Sequence, residues 1–378
     1  MKRIGIIGGG ASGIICAIAI KHQDSDANVV ILEKESRIGK KILMTGNGKC
    51  NLSNLDLSLD CYNTDVIYDS LLKFDSQKCI EFFERIGLMV RIDNSGRIYP
   101  YSERANNVLD ILLYELKRLN VEIVCDFNVI EIKRTDEFLV YSDRYDFRNF
   151  DYLVLATGGL AHINYDYQGY EIAERLGHQI TPLRPGLVGV KVKENTTPLA
   201  GLRMKANVYV GEKLSYGEVQ FKKDGLSGIA IMDMSRYFMP DIKIRLDLMP
   251  DKSHDEILSF LENKNLEMAL MGIFPKMIAK DLLKQSENNI YSLVNIIKNY
   301  EFTVLDTYGF TNAQITIGGV NHKEVSPFNF SSLIVDKLYI VGEILDIDGK
   351  CGGYNLHFAW TSGFLAGVDI GLKGREEQ

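Results

Sequence analysis

The sequence is poor in the features that mark several broad classes of protein. All of its apolar runs are shorter than the roughly 20 residues that a membrane-spanning helix needs. It carries 43 lysine and arginine residues against 50 aspartate and glutamate residues, a formal net charge of −7. Proteins that bind nucleic acid usually carry a basic footprint instead. We therefore expect no membrane partner, and the charge balance argues against nucleic acid as a partner.

Cysteine is present but follows no recognisable motif. The six cysteines are scattered and include no CxxC pair. The first residues, MKRIGIIGGGASG, have the glycine spacing of a strand-to-helix turn, which a secretory signal does not need. We predict reduced thiols, a cytoplasmic location and no metal site.

The length of the chain indicates more than one domain. A single hydrophobic core rarely serves more than about 250–300 residues, and this chain has 378. Hydrophobic residues make up 46% and charged residues 25% of it, which is typical of a folded protein. We expect two or three domains.

The first 35 residues predict one βαβ unit. Lys2–Ile7 and Asn28–Leu32 are short apolar strands, and Ala11–Lys21 between them has the small and branched residues of a buried helix. Strands that are apolar on both faces are typical of a parallel sheet covered by helices. The fold class is therefore α/β.

The turn of this unit matches the dinucleotide-binding pattern GxGxxG. Gly8 permits the tight turn, Gly10 lets a pyrophosphate approach the backbone, and Gly13 lets the helix pack closely on the strand. Glu33 follows Gly13 by 20 residues and ends the second strand, where it can bind both hydroxyls of a ribose. A carboxylate there would repel the 2′-phosphate of NADP. The alternative is a glycine turn that binds nothing.

The residue pattern changes at two places after the βαβ unit, at residue 37 and after Pro185. Residues 37–54 form a polar, glycine-containing stretch without periodicity, which predicts a functional loop. A helix is expected at about Asp65–Ile86 and another at Ala105–Leu119. After Pro185 the alternating segments predict an antiparallel sheet or barrel, and Asp251–Tyr300 is predominantly helical.

The segment from Gly342 to Asn355 predicts a strand end, a glycine loop and the start of a last helix, Asn355–Leu372. Such a helix end directs backbone N–H groups and a partial positive charge at an acceptor, and a reduced flavin is one. Glu343 could bind a ribityl hydroxyl. The sequence has no second GxGxxG, which favours FAD over NAD. The alternative is a glycine turn with solvated acids.

The chain resembles a family of bacterial flavoproteins. The family is described as aminoacetone oxidase-like or NAD(P)/FAD-dependent oxidoreductases and includes dehydro-bile-acid reductases. The resemblance covers nearly the whole chain and is carried by these blocks: GGGASG, GKKILMTGNGKCNLSN, ATGG, GYEIAERLGH, GEVQFKKDGLSG, ITIGGV and GEILDIDGKCGGYNLHFAWTSGFLAG. The chain departs from the family in residues 164–169 and in Gln220–Lys223, and its His357 stands where Gln is frequent. The first two departures leave the substrate open.

The resemblance implies a Rossmann-type FAD-binding domain built from both chain ends, with an inserted β-barrel and a helical subdomain. We assign residues 1–185 and 321–378 to the FAD domain, 186–250 and 303–320 to the barrel, and 251–302 to the helices.

It also implies non-covalent FAD. The predicted cofactor-binding residues are Gly8, Gly10, Ala11, Ser12, Gly13, Glu33, Lys34, Gly39, Lys40, Lys41, Thr45, Gly46, Gly48, Cys50, Asn51, Val129, Ala156, Thr157, Gly158, Gly342, Glu343, Asp348, Gly352, Gly353, Tyr354 and Asn355.

Candidate catalytic residues are few. His357 could donate a proton opposite the flavin, Cys351 or Cys50 could be a redox-active thiol, and Tyr354 or Tyr99 could protonate a substrate. For each residue the alternative is ordinary packing, because free cysteines and lone aromatic residues are most often buried apolar groups.

The leading hypothesis is an FAD-dependent oxidoreductase that moves a hydride between the flavin and a small organic substrate. NAD(P)H, bound transiently, is one electron donor, and oxygen as acceptor is the alternative. The other hypotheses are an FAD-dependent RNA-modifying protein and a non-enzymatic redox-sensing flavoprotein. The sequence leaves the substrate and the oligomeric state open.

Overall fold

The structure is a computed structural model that describes residues 2–144, 147–161 and 166–376. The described chain forms two compact units. The first comprises residues 2–160, 166–184 and 315 onward, and the second comprises residue 161 and residues 185–314. This division assigns residues 315–320 to the first unit, whereas the sequence placed them in the barrel. The three-part domain assignment stays a prediction.

The regular elements are named here in chain order. The strands are β1 (Arg3–Ile7), β2 (Asn28–Leu32), β3 (Ser53–Asn54), β4 (Val90–Ile92), β5 (Arg97–Pro100), β6 (Glu122–Val124), β7 (Val129–Arg134), β8 (Phe138–Ser142), β9 (Arg148–Phe150), β10 (Tyr152–Leu155), β11 (Arg184–Gly186), β12 (Val190–Val192), β13 (Arg203–Val210), β14 (Lys213–Lys222), β15 (Gly225–Ser227), β16 (Lys243–Asp247), β17 (Tyr300–Thr307), β18 (Ile315–Ile317) and β19 (Leu338–Ile340). The helices are α1 (Ala11–Gln23), α2 (Lys40–Met44), α3 (Tyr68–Lys73), α4 (Ser76–Arg85), α5 (Ala105–Arg118), α6 (Gln168–Arg175), α7 (Ile229–Asp233), α8 (His254–Leu261), α9 (Leu266–Met271), α10 (Lys276–Gln285), α11 (Ile290–Lys298) and α12 (Tyr354–Glu376).

The core of the first unit is a five-stranded sheet in the order β19-β10-β1-β2-β6. Its neighbouring strands are parallel, with Ile6 opposite both Val154 of β10 and Ile31 of β2. Four residues in each of β1, β2 and β10 are buried, as strands covered on both faces require. The predicted Rossmann-type α/β fold is confirmed, and β19 brings the C-terminal part of the chain into the sheet of the N-terminal part.

A close contact between α1 and α12 adds a second link between the chain ends. Three glycines one turn apart on α12 face α1. A Cβ on Gly363 would lie 2.2 Å from the Ser12 carbonyl oxygen, and one on Gly367 would lie 2.5 Å from that of Cys16. A Cβ on Gly371 would lie 3.0 Å from the Ile20 oxygen. The two helix backbones therefore approach more closely than any side chain would allow.

The core of the second unit is a closed barrel of six strands, β12-β15-β14-β13-β16-β17. Alternate residues of β13 are buried, namely Ala206, Val208 and Val210, and they pack with Phe221 and Phe302 of other strands. The barrel predicted after Pro185 is thus confirmed, and helices α8 to α11 occupy most of the predicted helical region.

The helix expected at Asp65–Ile86 is wrong as a single element. The structure has α3 and α4 with a break at Phe74 and Asp75. Asp75 adopts an extended backbone, and its side chain accepts a 2.8 Å hydrogen bond from the Lys78 N–H, so it caps α4. The capping aspartate was the signal in the sequence for a new helix start.

Two compositional expectations can be compared with the described chain. None of the helices in residues 2–144, 147–161 and 166–376 is long and apolar enough to span a bilayer. All six cysteines are free thiols, and those at positions 16, 50, 61 and 79 are buried.

The contact between α1 and α12 makes a stability prediction. In an exposed helix, Gly→Ala stabilises by about 1 kcal/mol. We expect Gly367→Ala to lower the free energy of unfolding by about 1–3 kcal/mol instead, because the new Cβ meets a backbone oxygen that cannot move aside. Urea unfolding measures the change.

The matched control is Leu372→Ala on the same helix, where the leucine is 46% exposed. It should change the free energy of unfolding by no more than about 0.5 kcal/mol. A stabilised Gly367→Ala variant would show that the two helices can separate freely.

Candidate functional site

The three glycines of the GxGxxG pattern after β1 have different surroundings. Gly8 has φ of +105°, and a Cβ there would lie 2.4 Å from the Ala156 carbonyl oxygen. A Cβ on Gly13 would lie 2.0 Å from the Gly8 oxygen. Gly10 differs, since nothing lies within 4 Å of where its Cβ would be. The fold itself requires Gly8 and Gly13, whereas Gly10 leaves open space at the N-terminus of α1, just before Ala11.

Glu33 is fixed beside this turn by backbone donors. One carboxylate oxygen accepts a 2.8 Å bond from the Gly9 N–H, and the other accepts a 2.9 Å bond from the Glu35 N–H. Hydrogen bonds to both oxygens fix the orientation of the carboxylate at the carboxyl end of β2. The role of Glu33 as a ribose ligand stays a prediction.

The chain around Val129 lies alongside Glu33. The Phe127 N–H donates to the Glu33 carbonyl oxygen at 2.9 Å, and buried Val129 opens β7 two residues later. Lys34 forms an ion pair with Asp166. Residues 33–35 and 126–129 thus form one wall beside the glycine turn.

The stretch from 37 to 54 is more ordered than the predicted loop. Gly39, with φ of +76°, precedes α2, and Thr45 ends it by donating its hydroxyl to the Ile42 carbonyl oxygen at 2.7 Å. The next residues form a tight turn with left-handed backbone at Gly46 (φ +55°), Asn47 (+54°), Gly48 (+81°) and Cys50 (+57°). The turn has no hydrophobic periodicity, so its order was not visible in the sequence.

The predicted lysines of this stretch are paired with carboxylates. Lys40 lies 2.5 Å from Glu35, and Lys49 lies 2.6 Å from Glu103. Lys41 donates to the Gly159 carbonyl oxygen at 2.7 Å, with its Nζ 3.5 Å from Glu343 Oε2. The positive charges of these three lysines are therefore largely neutralised within the fold.

Lys41 belongs to a network at the carboxyl ends of β10 and β19. The other oxygen of Glu343 accepts a 2.9 Å bond from the Thr316 N–H, and the Thr316 hydroxyl accepts a 2.7 Å bond from the Leu160 N–H. The predicted residues Ala156, Thr157 and Gly158 lie in the same turn after β10. Sequence reasoning missed Thr316, because it lies far along the chain and its only signal was the block ITIGGV.

The glycine loop before α12 is built on side-chain amides. Asn355 accepts from the Gly349 N–H and donates to the Gly349 carbonyl oxygen, each at 2.8 Å. The side-chain oxygen of Asn63 accepts a 3.0 Å bond from the Asp348 N–H, and its backbone N–H donates to the Asp348 carbonyl oxygen at 2.9 Å. Asp348 itself is buried. At the other end of the loop, the Gly342 N–H donates to the Ser362 hydroxyl at 3.0 Å, and a Cβ on Gly342 would lie 2.4 Å from Ser12 Oγ.

The two glycine-rich segments meet each other. Asn54 donates its amide to the Gly352 carbonyl oxygen at 3.1 Å. A Cβ on Gly353 would lie 2.6 Å from the Ser53 carbonyl oxygen and 3.0 Å from Asn51 Oδ1. That Asn51 oxygen is buried without a hydrogen-bond partner among the described residues. A buried acceptor without a donor is costly, so this position suits a donor from a bound molecule.

His357 is placed behind this contact. Its side chain is fully buried, its Nδ1 lies 2.9 Å from the Ser53 hydroxyl, and its ring stacks on Phe74 with centroids 6.0 Å apart. Burial lowers the pKa of His357 from 6.5 to about 4, so the ring is neutral near pH 7. Next along the helix, Trp360 donates its indole N–H to the Leu52 carbonyl oxygen at 3.2 Å.

The other catalytic candidates differ in their exposure to solvent. Cys50 is fully buried, and burial raises the pKa of its thiol to about 12. Cys351 is half-buried in the glycine loop. Tyr354 is buried, and its carbonyl oxygen accepts a 3.1 Å bond from the Tyr62 hydroxyl. Within the described ranges, no group of three His, Cys, Asp or Glu side chains could hold a metal ion.

Several characterised proteins are similar to this chain over nearly its whole length. A 3-dehydro-bile acid delta(4,6)-reductase of Clostridium scindens is 38% identical, with 97% of this chain and 98% of that protein covered. Ribosomal RNA dihydrouridine synthases of Haemophilus influenzae and Escherichia coli are 28% and 27% identical, with 97% of each chain covered.

Solved structures share the fold at low sequence identity. The 3-ketosteroid-delta4-(5alpha)-dehydrogenase of Rhodococcus jostii RHA1 matches with a TM-score of 0.53 and 14% identity, covering 98% of this chain and 97% of that one. The 3-ketosteroid delta1-dehydrogenase of Sterolibacterium denitrificans matches with 0.53 and 11%, covering 99% and 100%.

These findings define the class as a flavin-dependent oxidoreductase with a Rossmann-type domain. The sequence matches the family described as "HI0933-like protein Rossmann domain" over residues 2–369. The chain belongs to this family, and the family membership predicted from the sequence is confirmed.

The burial of His357 predicts a pH dependence of stability. The unfolded chain binds a proton at this residue below about pH 6.5, whereas the folded protein binds one only near pH 4. Stability is therefore lost as the pH falls through this window. Between pH 7.5 and 5 the His357 contribution amounts to about 2 kcal/mol. His357→Asn, which cannot titrate, should reduce the pH dependence by that amount in urea unfolding at the two pH values.

His254→Asn is the control, because His254 is exposed. It should leave the pH dependence as it is. If His357→Asn behaved in the same way, His357 would not be a buried neutral residue in solution.

Proposed function

We propose that this oxidoreductase binds FAD non-covalently along the carboxyl edge of its parallel sheet. The observation that carries the proposal is the open space at Gly10, between two glycines whose Cβ positions are blocked by the fold. Open space at a helix N-terminus, where backbone N–H groups face outward, suits a pyrophosphate. Glu33 lies beside it and suits a ribose, and its charge disfavours a 2′-phosphate.

The remaining predicted cofactor residues suit the rest of FAD. We propose that Glu343, held by Thr316 and Lys41, binds a ribityl hydroxyl. The flavin ring is assigned to the meeting point of Asn51 and the glycines at 352 and 353, where Asn51 Oδ1 has no donor among the described residues. FAD, when bound, supplies hydride transfer.

The residues of the chain orient and enclose this site. Asn355 fixes the glycine loop through both of its amide atoms. His357 is buried and hydrogen-bonded to Ser53, and we propose that it positions residues 51–54 rather than donating protons to substrate. Cys50 is a neutral thiol in this arrangement, because burial raises its pKa to about 12.

The proposed substrate class is a carbon–carbon double bond conjugated to a carbonyl group. A delta(4,6)-reductase of 3-dehydro-bile acids and a dihydrouridine synthase both saturate such a bond, in a steroid ring and in a uracil ring respectively. These are the names of relatives at 38% and 28% identity. We propose a small organic enone as substrate, NAD(P)H as the transient electron donor and the cytoplasm as the location.

The second candidate is the reduction of uridine in RNA. Two relatives that cover 97% of the chain carry the name ribosomal RNA dihydrouridine synthase. The net charge of −7 and the pairing of Lys40 and Lys49 with carboxylates weigh against it. A salt-sensitive gel shift with ribosomal RNA, together with dihydrouridine in the recovered RNA, would favour it over the enone proposal.

Two glycine variants test the cofactor site. Gly10→Ala should leave the apoprotein folded, with a change of no more than about 1 kcal/mol, yet weaken FAD binding roughly ten-fold or more because the methyl group occupies the pyrophosphate position. Gly13→Ala should lower the melting temperature of the apoprotein, because its Cβ would lie 2.0 Å from the Gly8 oxygen. FAD titration of deflavinated protein and thermal unfolding give the two readouts. Wild-type FAD affinity in Gly10→Ala would contradict the proposed site.

A redox assay tests the activity. The purified protein should show flavin bands near ~370 and ~450 nm that NADH or NADPH bleaches without oxygen. Addition of 4-androstene-3,17-dione, a 3-oxo-4-ene, should restore the bands, and the saturated 5α-androstane-3,17-dione should not. Reoxidation by oxygen alone, with no response to any enone, would favour an oxidase and contradict the reductase proposal.

A further inference from the structure

A small antiparallel sheet, β3-β5-β4, supplies side chains to the neighbourhood of the glycine loop. Asn54 lies opposite Arg97, and Tyr99 lies opposite Arg91. Directly opposed residues share a face of a sheet, and so do residues two apart on one strand. Asn54, Arg97, Tyr99 and Arg91 therefore project from one face. Ile98, between Arg97 and Tyr99, is fully buried on the other.

The glycine loop contacts the face that carries Arg97 at Gly352. The Asn54 side chain projects from this face and donates to the Gly352 carbonyl oxygen at 3.1 Å. Arg97 is directly across from Asn54 on the neighbouring strand, and paired residues in a sheet lie only about 5 Å apart. Arg97 is thus one residue away from the loop to which the flavin ring is assigned.

Arg97 differs from Arg91 in that its side chain has no partner among the described residues. Arg91, on the same face, lies 2.9 Å from Glu103, which also binds Lys49. Arg97 as a residue is half-buried, and in the described parts of the chain its side chain and the phenol of Tyr99 take part in no hydrogen bond or ion pair. A half-buried arginine without an acceptor suits one that a bound molecule supplies.

We infer that Arg97 binds the carbonyl oxygen of the substrate enone, an inference that rests on the proposed function. Addition of hydride to the β-carbon breaks the carbon–carbon π bond and shifts its electron pair toward the carbonyl oxygen. A proton from solvent then completes the α-carbon, so the enone is reduced and the flavin is oxidised. NAD(P)H restores the flavin. A fixed guanidinium at the carbonyl oxygen stabilises the charge that develops there.

The test uses the FAD-loaded protein with 4-androstene-3,17-dione as the probe. Removing one such donor typically costs about 100-fold in rate, so we expect Arg97→Gln to slow reoxidation of the reduced flavin by about that factor. Arg97→Lys keeps the positive charge but lacks the planar guanidinium, so its reoxidation rate should lie between those of the wild type and Arg97→Gln. The control is Arg148→Gln. Arg148 lies on β9, in a different sheet from Arg97, and forms an ion pair with Glu122.

Two further readouts separate substrate binding from a structural role. Difference infrared spectroscopy on the oxidised protein should show the carbonyl stretch of the bound steroid at lower wavenumber in the wild type and in Arg148→Gln, but not in Arg97→Gln. The FAD dissociation constant should stay within about two-fold of wild type in all three variants. A large loss of FAD affinity in Arg97→Gln would overturn the inference, because Arg97 would then bind the cofactor.

The outcomes distinguish this inference from the function on which it rests. If the wild type and Arg97→Gln reduce the enone equally fast, with the same carbonyl stretch, only the role of Arg97 is wrong. If the wild-type protein binds FAD but reduces no enone, the proposed function fails, and the role of Arg97 fails with it.

Discussion

The close packing of α12 on α1 is the constraint on which the candidate site depends. Gly363, Gly367 and Gly371 let the last helix lie directly against the backbone of the helix that follows the glycine turn. This contact holds Gly342 against Ser12, so the loop from 342 to 353 begins at the N-terminus of α1. A larger residue at any of these glycines would separate the helices, and the two halves of the site would move apart.

The site is shaped mainly by the backbone and by neutral amides. Asn355 and Asn63 hold the glycine loop, Asn54 joins it to β3, and backbone N–H groups orient Glu33. Lysines near the site are matched by carboxylates. A site of this kind can hold a large cofactor without a strong net field, because the positive ends of backbone dipoles point at it.

Because most charged groups near the site are paired, the polar groups without a partner indicate where a ligand could bind. Asn51 Oδ1 lacks a donor, and Arg97 and Tyr99 lack partners among the described residues. Arg97 and Tyr99 lie on β5, and Asn51 lies beside Gly353 of the glycine loop. His357 is also buried: its Nδ1 lies within hydrogen-bond distance of the Ser53 hydroxyl, its Nε2 has no partner among the described residues, and burial keeps the ring neutral. The structure places this histidine behind the contact between the two glycine-rich segments, and its catalytic role stays a prediction.

The sequence by itself determined the Rossmann unit, the barrel and the positions of Gly8, Gly10, Gly13 and Glu33 around the first turn, because these depend on local periodicity and on glycine and carboxylate at short fixed spacings. It could not reveal the turn at 45–50, the break before α4, the pairing of the lysines, or the places of Thr316 and Arg97. Those depend on contacts between residues tens to hundreds of positions apart, which leave no periodic trace in the chain. Only the tertiary structure decided them, when β19 joined the central sheet and α12 packed on α1.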